Sequence, residues 1–120
     1  MAAEGSRMKV TINDGLTIVT LADQRILDEV SIAKIGDEIE SLIKDQLSPR
    51  LIIDFTNVTN MSSSALGMLI TVHKRIREKN GTLVLCHIQP AIAEIFKITR
   101  LDEIFTISTT VDVASEVAQL

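Results

Sequence analysis

Three consecutive serines, Ser62, Ser63 and Ser64, stand where an apolar strand stops and an apolar helix starts, in "DFTNVTNMSSSALGMLI". Two kinds of chemistry suit hydroxyls at such a junction. A serine before the first helical turn accepts from an otherwise orphaned backbone N–H, a cap worth ~1 kcal/mol. The same turn carries free N–H groups and a partial positive charge that stabilise an attached phosphate. A phosphoserine there adds about −1.5 to −2 charges to the surface, enough to end a protein contact by repulsion and desolvation without unfolding the domain. One serine suffices for the cap. Composition alone leaves both readings open for the other two.

Other reactive residue types form no recognised template. His73, His87 and Cys86 fall in different elements or at a strand end and lack metal-ligand spacing, so no metal is expected. Cys86 lies inside "TLVLCHI", where a small hydrophobe would serve equally well, and reads as a buried structural thiol. Asp54, Asp28 and Glu94 are carboxylates that nothing in the sequence pairs. No GxGxxG, GxxxxGK[ST] or GxSxG occurs, and neither catalytic residues nor a cofactor is expected.

The elements that must hold the serines are legible from periodicity. "MKVTIN" and "GLTIVTLA" flank Asn13-Asp14-Gly15 and predict a hairpin with strands near 8 to 13 and 16 to 21. From Ser31, the residues Ile32, Ile35, Ile39, Leu42 and Ile43 recur at helical spacing to about Gln46, weakened by Gly36 and stopped by Ser48-Pro49. "RLIIDFT" is a buried strand. Ala65, Leu69, Val72 and Ile76 stripe a helix from about Ser64 to Lys79, with Lys74, Arg75, Arg77 and Lys79 in its last turns and Asn80-Gly81 as the stop. "TLVLCHI" is a second buried strand, and Pro90 opens a short helix carrying Ile92, Ile95 and Phe96. "IFTI" reads as an edge strand and "TVDVASEVAQL" as a closing helix. The order β-β-α-β-α-β-α-β-α implies one α/β domain, a mixed sheet of about five strands with about four helices packed on it.

Totals agree with a single core. The chain has 120 residues, a formal charge of −4, three Phe and neither Trp nor Tyr. The acidic balance and the lack of aromatic platforms disfavour nucleic acid as a partner. No run approaches the roughly 18 apolar residues of a membrane span, and no signal-peptide pattern opens the chain, so a cytoplasmic protein is expected. "MAAEGSR" lacks periodicity and is read as a flexible lead-in over residues 1–7, with the domain over 8–120.

With these elements in place, "LIIDFTNVTNMSSSALGMLI" resembles the signature of STAS domains of the anti-sigma factor antagonist type. In that signature a strand ending in Asp leads through "xxVxxM" to Asp-Ser-(Ser/Thr)-Gly-(Leu/Ile)-Gly. "EIFKITRLDEIFTI" is similar to the family's "FxxxGLxxxF" segment, through Phe96, Leu101 and Phe105. The resemblance implies a STAS fold and a protein-binding switch that is not an enzyme. Its partners would be an anti-sigma factor that is also a serine kinase, and a metal-dependent serine phosphatase that resets the switch. Met61 matches the family's Met, Ser63 the phosphoacceptor, Ser64 the residue after it, and Leu66 and Gly67 the Leu-Gly of the helix. Asp28, in "ILDEVS", matches a Leu-Asp element beside the site. With Ser62 and Ser64, these residues form the expected partner face: Asp28, Ser62, Ser64, Leu66 and Gly67. Ser62 stands where the family keeps Asp, and Ala65 where it keeps Gly. The alternative implied by the same resemblance is an unphosphorylated STAS scaffold or transport-associated interaction module, in which the serines only cap.

Overall fold

The computed structural model describes residues 8–118; the lead-in over 1–7 lies outside them. β1 (Met8–Asn13) and β2 (Leu16–Leu21) form the expected antiparallel hairpin. Asp14 and Gly15 carry it, with φ of 53° and 79°, the left-handed pair that matches the strands' own twist. A two-residue strand, β3 (Arg25–Ile26), precedes α1 (Glu29–Ile43). β4 (Arg50–Asp54) is followed by a second short strand, β5 (Asn60–Met61), and then by α2 (Ser63–Glu78). β6 (Thr82–Cys86), α3 (Pro90–Ile98), a single 3-10 turn at Leu101–Glu103, β7 (Thr106–Ser108) and α4 (Val111–Ala118) complete the chain.

The main sheet has the order β1-β2-β4-β6-β7, parallel except for the hairpin. Leu51, Ile53 and Leu85, alternating along β4 and β6, face α1, α2 and α3 in the larger core, with Phe55 and Phe96 fully buried there. Ile52, Val84 and Cys86 point the other way, onto Ala114 and Ala118 of α4. A parallel sheet covered on both faces explains why β4 and β6 read as unbroken apolar runs.

Two expectations about boundaries are corrected. The helix read from Ser31 to about Gln46 is Glu29–Ile43, because Asp28 caps it by accepting from the Ser31 N–H at 2.9 Å, and Ser31 is buried inside. The helix read from Ser64 begins at Ser63, with Ser62 as its cap. Gly36, read as a weakness, sits where an added Cβ would lie 3.1 Å from Met68 Cγ, so its small size lets α1 and α2 approach. Arg75 joins the same two helices through Glu40 at 3.3 Å. Asn80 takes φ 57°, and the Gly81 N–H returns to the Ile76 carbonyl at 2.8 Å, closing α2 as expected.

Candidate switch site at the paired helix starts

A two-strand parallel bridge, not foreseen from the sequence, positions the site. β3 and β5 pair Arg25 with Asn60 and Ile26 with Met61. The Ser62 N–H donates to the Ile26 carbonyl at 3.1 Å, and the Thr59 N–H to the Gln24 carbonyl at 2.8 Å. Because the strands run parallel, the residues two beyond the paired Ile26 and Met61 are Asp28 and Ser63. The starts of α1 and α2 therefore lie side by side, which brings the aspartate expected from "ILDEVS" next to the serines. Ile26 and Met61 anchor the bridge in the core, with exposures of 0% and 8%.

The three hydroxyls have three different roles. Ser62 is extended, at φ −86° and ψ 168°, and its Oγ accepts from the Ala65 N–H at 3.2 Å. Ser64 is exposed and donates its hydroxyl to Glu29 Oε2 on α1 at 2.9 Å. Ser63, also exposed, has a hydroxyl with no hydrogen-bond partner among the described residues. The Asp of the family pattern falls at the cap position, where Ser and Asp serve about equally well. Ser62 supplies the cap here without a charge. Ala65, replacing the family's Gly, is fully buried and its N–H is the capped donor.

The charges around Ser63 come from two directions. α2 has no acidic residue in its first turn, so no carboxylate of its own helix offsets the positive end of its dipole there. Across the gap, α1 opens with Asp28 and Glu29. Gly67 is exposed, and an added Cβ there would meet nothing within 4 Å. Leu66, expected on the partner face, is 8% exposed and packs in the larger core. Sequence reading missed Glu29, Leu27 and Val30. Leu27 and Val30 are 42% and 62% exposed beside Asp28. Their signal was an apolar pair off the Ile32, Ile35, Ile39 stripe.

A second cluster lies at the C-terminal ends of β4 and β6. Asp54, which the sequence left unpaired, accepts at Oδ1 from the Thr56 N–H at 3.0 Å and the Thr56 hydroxyl at 2.6 Å. His87 Nδ1 lies 2.9 Å from the same oxygen and 2.9 Å from Thr56 Oγ1. The carboxylate only accepts, so Nδ1 carries the hydrogen. Burial, and then the charge of Asp54, push the adjacent Cys86 thiol up to about 12. His73, on α2, packs edge-on against Phe105 at 5.2 Å, and burial followed by Arg77 lowers its pKa.

The fold is a small α/β domain in which α1 and α2 start side by side and Ser62 caps α2. A profile of the STAS domain family matches residues 7–114, and the chain belongs to that family. BtrV of Bordetella bronchiseptica, named as a candidate anti-sigma factor antagonist, is 27% identical over 110 residues, covering 90% of this chain and 92% of BtrV. An anti-sigma-factor antagonist (STAS) domain protein of Planctomyces limnophilus superposes with a TM-score of 0.86 at 23% identity, covering 94% of this chain and 98% of that one. The Bacillus cell fate determinant SpoIIAA, in its phosphorylated form, gives 0.69 at 15% identity over 92% of this chain and 98% of that one. No helix among the described residues is long and apolar enough to cross a membrane.

Proposed function

We propose that this chain is an anti-sigma factor antagonist controlled by phosphorylation of Ser63. Its partner is an anti-sigma factor that is also a serine kinase, and binding that partner frees the sigma factor. The observation that carries the reading is the division of labour at 62–64: Ser62 is committed to the cap, Ser64 to Glu29, and Ser63 alone presents an unengaged, exposed hydroxyl. Its Oγ would attack the γ-phosphorus of ATP, forming the phosphoester and releasing ADP and a proton. The kinase supplies the ATP site; this chain is a binding module and not the enzyme.

The contact face in this reading comprises Asp28, Ser62, Ser64 and Gly67, together with Leu27, Glu29 and Val30, which are exposed at the start of α1. Apolar Leu27 and Val30 supply area, and the acids supply orientation toward basic groups. A phosphate on Ser63 would stand among Asp28 and Glu29, raising local negative charge enough to oppose rebinding. A metal-dependent serine phosphatase would restore the free hydroxyl. The phosphorylated form of SpoIIAA, a structural neighbour, is consistent with this cycle.

Binding to a cognate anti-sigma factor is the test. Ser63→Ala should bind like the unmodified chain, and Ser63→Asp should bind at least tenfold more weakly. Equal affinities for the two would instead favour a scaffold in which the serines serve only the helix.

A further inference from the structure

We propose that Asp54, Cys86 and His87 form a site for a divalent transition-metal ion of the zinc type, independent of the serine switch. One ligand atom from each of the three lies within 4.8 Å of the others. Tetrahedral zinc, with bonds of about 2.0–2.3 Å, sets its donors roughly 3.3–3.7 Å apart, so closure requires side-chain adjustments of about an ångström. The sulfur, imidazole and carboxylate set is one that zinc and its chemical neighbours accept and that calcium and magnesium do not.

The backbone explains how residues 33 positions apart meet. Asp54 and Cys86 are register partners on adjacent parallel strands and point to the same face of the sheet. In an extended strand His87 would turn to the opposite face. It instead takes φ 54°, an uncommon left-handed conformation for a non-glycine residue, and its ring folds back to Asp54. Thr56 orients the carboxylate through two hydrogen bonds, the kind of outer support that metal ligands use. The side chain of Asp54 is 11% exposed and that of His87 37%. Two open hollows, about 450 and 510 Å³, share His87, Ile88 and Thr109, so solvent reaches the His87 side of the cluster. The position, at the C-terminal ends of parallel strands, is where open α/β sheets hold ligands.

Charge and protons balance. Cys86 gives up its thiol proton to solvent and binds as thiolate. His87 would bind through Nδ1 as the neutral ring with its hydrogen on Nε2, and Asp54 as the carboxylate. A dication then meets two anions and a neutral ring, leaving no net charge beside the core.

The full chain titrated with Co2+ should give a 1:1 thiolate-to-cobalt charge-transfer band, with Zn2+ displacing the cobalt and raising the unfolding temperature. Cys86 is the only cysteine, so the band reports this site. Cys86→Ala should abolish it, and His87→Asn, which tolerates a left-handed backbone, should weaken Zn2+ binding at least tenfold. Imidazole 15N resonances of the unsubstituted chain provide a readout that needs no variant: Zn2+ should shift His87 and leave His73 in place. Absence of the charge-transfer band would overturn the proposal. So would unchanged Zn2+ affinity in His87→Asn, or Zn2+ shifts at His73 alone.

Discussion

Alanine substitution at each of the three serines separates their roles by stability alone. Ser62→Ala removes the Oγ that accepts from Ala65 N–H at 3.2 Å, and Ala65 is fully buried, so that amide loses its partner where water cannot readily replace it. The loss should be about 1 kcal/mol. In a domain of this size that lowers the unfolding midpoint by about 3–6 °C. Ser64→Ala loses a solvent-exposed bond to Glu29, where water competes for both groups, and should cost about 0.5 kcal/mol or less. Ser63→Ala removes a hydroxyl that holds nothing and should stay within about 0.3 kcal/mol of the parent. Ser62→Asp should retain the full cap, since Asp accepts equally well and adds a favourable charge at the helix start. Thermal and urea unfolding followed by circular dichroism resolve these differences. A Ser63→Ala cost equal to that of Ser62→Ala, or a Ser62→Ala cost below about 0.3 kcal/mol, would refute the assignment of cap and free hydroxyl.

Further expectations follow from contacts elsewhere. Gly81→Ala would place a Cβ 2.3 Å from the Pro49 carbonyl oxygen, a backbone atom that cannot rotate away, and should destabilise by about 2 kcal/mol or more in urea unfolding. Cys86, with its thiol pushed up to about 12 and the residue buried, should resist iodoacetamide at pH 8 in the folded chain and react readily in urea. His73 has a lowered pKa, so the unfolded chain takes up its proton first as pH falls. Its contribution to stability should be complete above about pH 6.5 and decline as pH drops below it, and His73→Gln should flatten that part of the pH profile.

Which features the sequence could show depended on how local they are. The hairpin at Asp14-Gly15, the stripe through Leu69, Val72 and Ile76, and the stop at Asn80 rest on neighbours within one or two turns, and the structure has them. β3 and β5 were invisible because two residues carry no periodicity, yet their pairing brings the starts of α1 and α2 together. Asp28 reached the site through the family resemblance; its role as the cap of α1 came only with the structure. Leu66 lies on the buried side because the inward stripe of α2 is wider than the i, i+4 pattern suggested. The bonding of Ser64 to Glu29 spans 35 positions and depends on helix placement, which no spacing rule encodes. The meeting of Asp54 with His87 likewise required strand register together with a left-handed turn at His87.

In the proposed cycle one serine of the three, Ser63, is the switch. Incubation with a cognate anti-sigma kinase and ATP, followed by peptide fragmentation in the mass spectrometer, addresses it directly. A single phosphate is expected on Ser63, absent from Ser62 and Ser64 and lost in Ser63→Ala. Phosphate on Ser62 or Ser64, or an unmodified 62–64 segment after the kinase has turned over, would contradict it.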